Sequence, residues 1–478
     1  MTVSRAPVGR ARGYLSFLLP LLLCAAIFAA YPLRARLEVG EWTFPLDDPW
    51  IHQVLARNLA GSHTYGFNPG EPGTASSAPL WTALLVPPHL LGWNPVLWAI
   101  LLGLLSLAGL GGIVWRWAYV RYGSSSRAAA LTAVLLLSPQ VAWAGVEGME
   151  TALAAGLATL ILWRLSRPWE RMRDALADGA LLGTLLWLRP EALLLAAVVL
   201  WERRREPLPR RTGWLVAVGA FAGPYVGFHL WLGGKILPQS VFAKAAYYAR
   251  PLALDSLGDF LRGLGLSFSP GVWPLVGLLL LVGGVSMARR RDGTWLPTLL
   301  WTGLTLLVAA LRMPVVLHFG RHFVPLLPAL LLASAEGFRA LPRRLRWVAG
   351  VVGAVLLVEG FALGSAFYSA GCRMMEESQV AMGHYIREHV PPGRLVATHD
   401  VGAIGYFSDH PVVDTLALVT PELTSAVARR DENAVWEYLQ ERGVHYLAAL
   451  DGMHAALCRH PGVREIARCG RMVLYLLP

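Results

Sequence analysis

The sequence predicts an α-helical polytopic membrane protein with a small C-terminal α/β domain outside the bilayer. Three observations predict it. Of 478 residues, 55% are hydrophobic and only 15% charged, with a mean hydropathy of +0.47, more apolar surface than a soluble fold can hide. Apolar segments recur about eleven times along the chain. Arginine clusters at 5–12, 116–127, 164–173, 203–211, 289–291 and 339–346 fall in alternate loops, as positive-inside insertion requires.

The elements follow in order. Arg5, Arg10 and Arg12 precede an apolar run from Tyr14 to about Pro32. It is long enough to span and no clear small-residue cleavage motif follows, so a retained helix with a cytoplasmic N-terminus is expected. Further segments lie at 95–118, 128–146, 150–165, 174–188, 190–201, 213–232, 271–288, 294–311, 322–338 and 345–366. The pair 174–188 and 190–201 is short. It reads as half-inserted helices meeting at Arg189-Pro190-Glu191, because proline disfavours helix at the residue before it. The outward face then collects the loop 33–94, residues 144–150 and 189–191, the loop 233–270 and residues 311–322. Residues 1–369 are thus expected as the membrane domain and 370–478 as the extracytoplasmic α/β domain. In that tail a helix at 376–389, a strand at 394–398, a helix at 431–442 and a strand at 444–450 are expected.

Several function classes are excluded. The net charge of +11 comes from arginine, with lysine only at Lys235 and Lys244. The basic residues sit in short clusters between apolar segments, which is topology signalling and not a nucleic-acid groove. No GxxxxGK[ST] or strand-borne GxGxxG is present, which argues against an ATP-driven pump or a nucleotide cofactor. The four cysteines show no zinc-binding spacing. Cys458 and Cys469 lie in the extracytoplasmic tail, where a disulfide is permitted. There is no repeat of fixed period, and Gly103, Gly109, Gly111 and Gly112 fit helix packing.

The chemistry centres on Leu46-Asp47-Asp48-Pro49-Trp50-Ile51-His52. Asp48 fits a helix N-cap and Pro49 the first helical position. Ile51, Val54, Leu55 and Leu59 share one face, suited to a lipid or protein surface. Asp47 and Asp48 read either as acidic caps or as a general base and divalent-cation site, for Mg or Mn. Glu147 and Glu150 stand at the entry to an apolar segment, where an acid needs a partner, a cavity or a capping role. Arg189 and Glu191 form either a structural ion pair or a functional one. Lys244 and Arg321 are outer-boundary cations able to hold a lipid phosphate, or to snorkel to headgroups. His318 and His322 have i, i+4 metal spacing without a third ligand nearby in sequence. His399-Asp400 either closes over the site or forms an ordinary strand-end turn. Together these groups suit an enzyme whose donor is a lipid-linked phosphate, with cations stabilising the leaving phosphate. The competing class is a multi-span transporter or a lipid or glycolipid flippase, which calls for paired half-sequences that are not evident.

The chain also resembles the GT-C superfamily of polyprenyl-phosphate-sugar-dependent glycosyltransferases, in its arabinofuranosyltransferase-like and mannosyltransferase-like subgroup. Asp47-Asp48-Pro49-Trp50-Ile51 through Ala56-Arg57-Asn58-Leu59-Ala60 carries the likeness, with Gly66-Phe67-Asn68-Pro69-Gly70-Glu71 and Ser76-Ser77-Ala78-Pro79-Leu80-Trp81-Thr82. Gly148-Met149-Glu150-Thr151-Ala152-Leu153, Leu188-Arg189-Pro190-Glu191-Ala192, Leu237-Pro238-Gln239-Ser240 through Lys244, Gly320-Arg321-His322 through Pro325-Leu326-Leu327-Pro328 and the stretch 397–407 follow in the same order. The resemblance implies sugar transfer from a polyprenyl monophosphate on the outer face, with an aspartate of the doublet as base. It implies a glycan, lipid or protein acceptor in the cell envelope, and in some GT-C enzymes this region engages a divalent metal. Many relatives carry an aromatic or isoleucine-serine pair after the acids, where this chain has Pro49-Trp50-Ile51-His52.

Overall fold

The computed structural model describes residues 10–248, 254–313, 315, 316 and 318–478, with the side chains of 10–17 and 254 left aside. The first arginine cluster therefore lies largely outside the described residues. Among those residues, six helices are long and apolar enough to cross a membrane, and three further apolar helices are shorter. The longest single α-helix, Arg343–Met375, has 33 residues, about 50 Å at 1.5 Å per residue. Its Val351, Val355 and Val358 are 60–71% exposed, an apolar stripe suited to a lipid environment. The Pro95–Tyr122 helix begins where the Asn94 side chain accepts from Leu97 N at 2.9 Å and ends at Gly123, in the left-handed region, as capping preferences require. Two of the packing glycines meet neighbours, Gly103 the backbone of Gly145 and Gly111 the side chains of Leu136 and Pro20, whereas nothing lies close to Gly109.

Five arginine clusters gather at one end of the bundle. Arg121 bonds Asp292 at 3.0 Å and Glu336 at 2.9 Å, and Arg339 reaches Glu336 at 3.3 Å. Arg203 donates to the carbonyls of Arg164 and Arg167, and Arg210 to that of Trp169. Helices Thr151–Leu165, Ala192–Glu202 and Leu327–Ala340 run between this end and the opposite one, where Glu150, Arg189 and Arg321 lie. The expected short pair is Met172–Leu186, of 15 residues, and Ala192–Glu202, of 11, joined at Arg189-Pro190-Glu191. The segment expected at 128–146 is broken: helix stops at Leu137, and a short helix, Pro139–Ala144, restarts it at a proline.

The Arg343–Met375 helix continues through a π-turn, Glu376–Val380, into Ala381–His389. Beyond it stand strands β1 (Val396–Thr398), β2 (Val412–Asp414), β3 (Tyr446–Leu450), β4 (Arg464–Cys469) and β5 (Met472–Leu476), in the order β2-β1-β3-β5-β4. β1 runs parallel to β2 and β3, while β5 is antiparallel to β3 and β4. Two strands and the Glu432–Glu441 helix match the expected elements. β2, β4 and β5 were not anticipated, being short or, in β4, largely exposed. His399 and Asp400 form the turn that ends β1, and residues 401–407 follow it as a helix. The four cysteines are unpaired.

This sheet packs on the first loop. Trp50 lies 4.9 Å from the ring of Tyr406 and 4.8 Å from that of Phe407. Arg57 donates to the carbonyls of Tyr406 at 2.6 Å and Gly405 at 3.1 Å. Ile51, Val54, Leu55 and Phe67 are buried with Val401 and Val412. The apolar face of the Asp48–Ser62 helix therefore meets protein and not lipid.

Candidate active site

The doublet divides its labour. Asp48 is the first residue of the Asp48–Ser62 helix, not its N-cap, and Pro49 takes the second position. The capping place falls to Asp47, whose side chain makes no cap bond to its own helix. Asp47 instead accepts from the backbone N–H groups of Gly402 at 2.7 Å and Ala403 at 2.8 Å, at the start of the Val401–Phe407 helix. Gly402 is needed there because a Cβ would stand 2.8 Å from an Asp47 carboxylate oxygen. Burial, then the neighbouring Asp400, push the Asp47 carboxyl above its usual range, against the pull of the two N–H groups.

Asp48 faces the other way and is ion-paired to Arg321. Burial opposes its charge, but Arg321, followed by Lys244, holds the carboxyl well below the usual carboxylate range. Lys244 is itself pulled down by burial, against the attraction of Asp48. Arg321 reaches this place through an unusual turn: His318, Phe319 and Gly320 all have φ between 50° and 67°. Gly320 suits it in two ways, because its φ is left-handed and a Cβ would meet the Phe268 ring at 2.7 Å. Phe319 stacks on Trp143 at 5.2 Å.

Beside the pair lies a buried network. Arg189 bonds Glu150 at 2.9 Å, Glu191 at 3.1 Å, Thr151 Oγ1 at 3.0 Å and His322 Nδ1 at 3.4 Å. Thr151 donates to Glu147 at 2.6 Å. The Arg189–Glu191 pair is thus one edge of a larger set. Thr151 belongs to the 148–153 stretch that carries the resemblance, and the structure adds its role as the link between Arg189 and Glu147. Glu150, Arg189, Lys244, Arg321 and His322 all line one cavity of about 270 Å³, whose remaining wall is largely apolar, with Leu188, Leu194, Val241 and Val308.

The left-handed turn breaks the helical i, i+4 relation of His318 and His322, so they do not stand as ligands on one helix face. Among the described residues no group of three or more His, Cys, Asp or Glu side chains could hold a metal ion. Arg321 lies against Asp48 and two backbone donors against Asp47, so these carboxylate oxygens are engaged by groups of the protein.

The whole chain is similar in fold to several solved structures. ArnT from Cupriavidus metallidurans bound to undecaprenyl phosphate matches with a TM-score of 0.59 at 17% identity, over 98% of each chain. An Archaeoglobus fulgidus oligosaccharyltransferase in complex with Zn and sulfate matches at 0.62 and 13% identity, over 92% of this chain and 68% of that one. The oligosaccharyltransferase AglB from the same organism, with an inhibitory peptide and a dolichol-phosphate, matches at 0.59 and 10%, over 93% and 70%. The fold is GT-C. By sequence, residues 370–471 match a family described as a domain of unknown function, DUF8728, and no curated protein matches the chain. Within the GT-C fold the doublet sits in the first loop, between the cationic cavity and the C-terminal sheet.

Proposed function

We propose that this chain is an integral-membrane glycosyltransferase that moves a hexosyl or pentosyl group from a polyprenyl-phosphate carrier to an acceptor hydroxyl on the outer face of the membrane. The observation that carries the reading is the Asp48–Arg321 pair beside a cavity with buried cations and apolar walls. A polyprenyl phosphate has matching parts, an anionic head and a branched hydrocarbon tail. Arg321 by its fork, Lys244 as a point charge and Arg189 behind them are the phosphate-holding groups. The undecaprenyl phosphate and dolichol-phosphate bound in the matched ArnT and AglB structures favour the same donor class.

Asp48 takes the proton of the acceptor hydroxyl as its oxygen attacks the anomeric carbon. The bond from that carbon to the phosphate oxygen breaks, and the leaving phosphate keeps the electron pair, its charge met by Arg321, Lys244 and Arg189. Asp47 holds the doublet against the C-terminal domain. We further propose about eleven spans, a cytoplasmic N-terminus and an outward site, because the gathered arginines and the site lie at opposite helix ends. Residues 1–369 then form the membrane domain and 370–478 the extracytoplasmic one. A transporter or flippase is not favoured, since these ionisable groups gather at one end and not at a midplane.

The test is incubation of purified protein with radiolabelled polyprenyl-phosphate sugars. Asp48→Asn should lose transfer by roughly 10²–10⁴-fold, the usual share of a general base, while still folding, at a lowered melting temperature because Arg321 loses its counter-charge. Full activity in both Asp47→Asn and Asp48→Asn would remove the acid–base assignment.

A further inference from the structure

One helix, Gln239–Tyr248, separates two cavities. Ser240, Val241 and Lys244 line the cationic one, and Tyr247 and Tyr248, at its end, line a second of about 530 Å³. The far wall of the second is the C-terminal sheet at the carboxyl ends of its parallel strands. Thr415 follows β2, and Gly452 to His454 follow β3. The chain passes from β1 to β2 on one side and then to β3 on the other, so the order reverses at β1. Open α/β sheets bind ligands at such a reversal, outside the strand carboxyl ends.

The polar groups there are Thr415, Arg430, Asp431, Glu432 and His454, with both charge signs present. His454 Nε2 lies 2.8 Å from Thr415 Oγ1, and its Nδ1 lies 3.9 Å from Glu432. Burial, then His399, hold the His454 imidazole near 4, so it is neutral and can both give and take hydrogen bonds. His399, 5.9 Å away ring to ring, has a side chain only 4% exposed. Both its ring nitrogens lack a hydrogen-bond partner among the described residues. Tyr248 stands one helical turn after Lys244 on the same helix, and Lys244 lines the cationic cavity, so the two cavities adjoin.

We infer that this second cavity is the acceptor subsite and that its ligand is a saccharide, packed on Tyr247 and Tyr248 and bonded through its hydroxyls to His454, Glu432 and Asp431. The inference rests on the glycosyltransferase reading and names the substrate class of that same site. Aromatic rings beside a neutral imidazole and carboxylates match a sugar, which offers C–H faces and hydroxyls together. Val315, Leu416, Val427, Val435 and Met453 complete the wall behind these polar groups. A peptide added as a strand here would need a free sheet edge beside this cavity, and the exposed edge β4 lies at the far end of the sheet from β2. The β2 edge is closed, because Asn68 bonds both the N–H and the carbonyl of Val412 at 2.9 and 3.0 Å.

The test uses the full chain in lipid nanodiscs and two readouts. Saturation-transfer NMR follows glucose, mannose and arabinose trisaccharides, and calorimetry follows undecaprenyl phosphate. At least one trisaccharide should bind the wild type. His454→Ala and Tyr247→Ala should each weaken it about tenfold, the worth of one hydrogen bond or ring contact, while Tyr247→Phe keeps it. Lipid-phosphate affinity should stay unchanged in all three variants, which also reports that they are folded. The inference is overturned if no trisaccharide binds the wild type, or if both alanine variants bind as well as it does. Loss of lipid-phosphate binding by the wild type would instead count against the proposed function, leaving the saccharide readout to decide this inference.

Discussion

Asp48 and Arg321 neutralise each other while no phosphate is present, and that pairing carries a pH signature. Arg321 keeps the carboxyl ionised far into acid in the free protein. A bound phosphate competes for the guanidinium, so Asp48 loses its main counter-charge and its proton affinity rises. The acidic limb of kcat/KM, which reports the free enzyme, should therefore lie at lower pH than the limb of kcat, which reports the complex. Coincident limbs would show that Arg321 stays on Asp48 throughout. Arg321→Lys keeps the charge but loses the fork; we expect donor KM to rise at least tenfold. Much of this was legible in the sequence, since acids and cations at apolar boundaries call for partners. The role of Asp47 was not, because its backbone partners lie 355 and 356 residues away.

At the scale of elements, the Val401–Phe407 helix sets the doublet from outside. Gly402→Ala would drive a methyl group into Asp47, and should lower both the melting temperature and transfer, whereas Gly393→Ala, in open space but at φ +76°, should lower only the melting temperature. Within the sheet, Asp414 ends β2 fully buried. Its carboxyl accepts from Leu416, Leu418 and Val419, yet burial raises it from 3.8 to about 6. Raised in the fold, this acid stabilises most below its unfolded pKa, and that contribution is lost as pH rises through about 6. Asp414→Asn should abolish this pH 4–6 component of the unfolding midpoint. Helices were readable from apolar periodicity and proline or glycine stops. The edges β2 and β4 were not: three residues carry little alternation, and β4 is largely exposed.

For the whole molecule, the prediction is sidedness. In a background with Cys24, Cys372, Cys458 and Cys469 replaced, a membrane-impermeant maleimide should label His445→Cys on intact cells. Arg290→Cys should be labelled only after permeabilisation. The reverse pattern would put the site on the arginine side and end the proposal. The arginine alternation made this layout readable early, because charge near helix ends directs insertion whatever the later packing. One consequence concerns biosynthesis. The carboxylate of Asp47 is fastened to amides at positions 402 and 403, so a nascent chain already threaded through the bilayer still has an unfinished centre. Only after the ribosome has released that distant stretch can the first loop settle into its working shape.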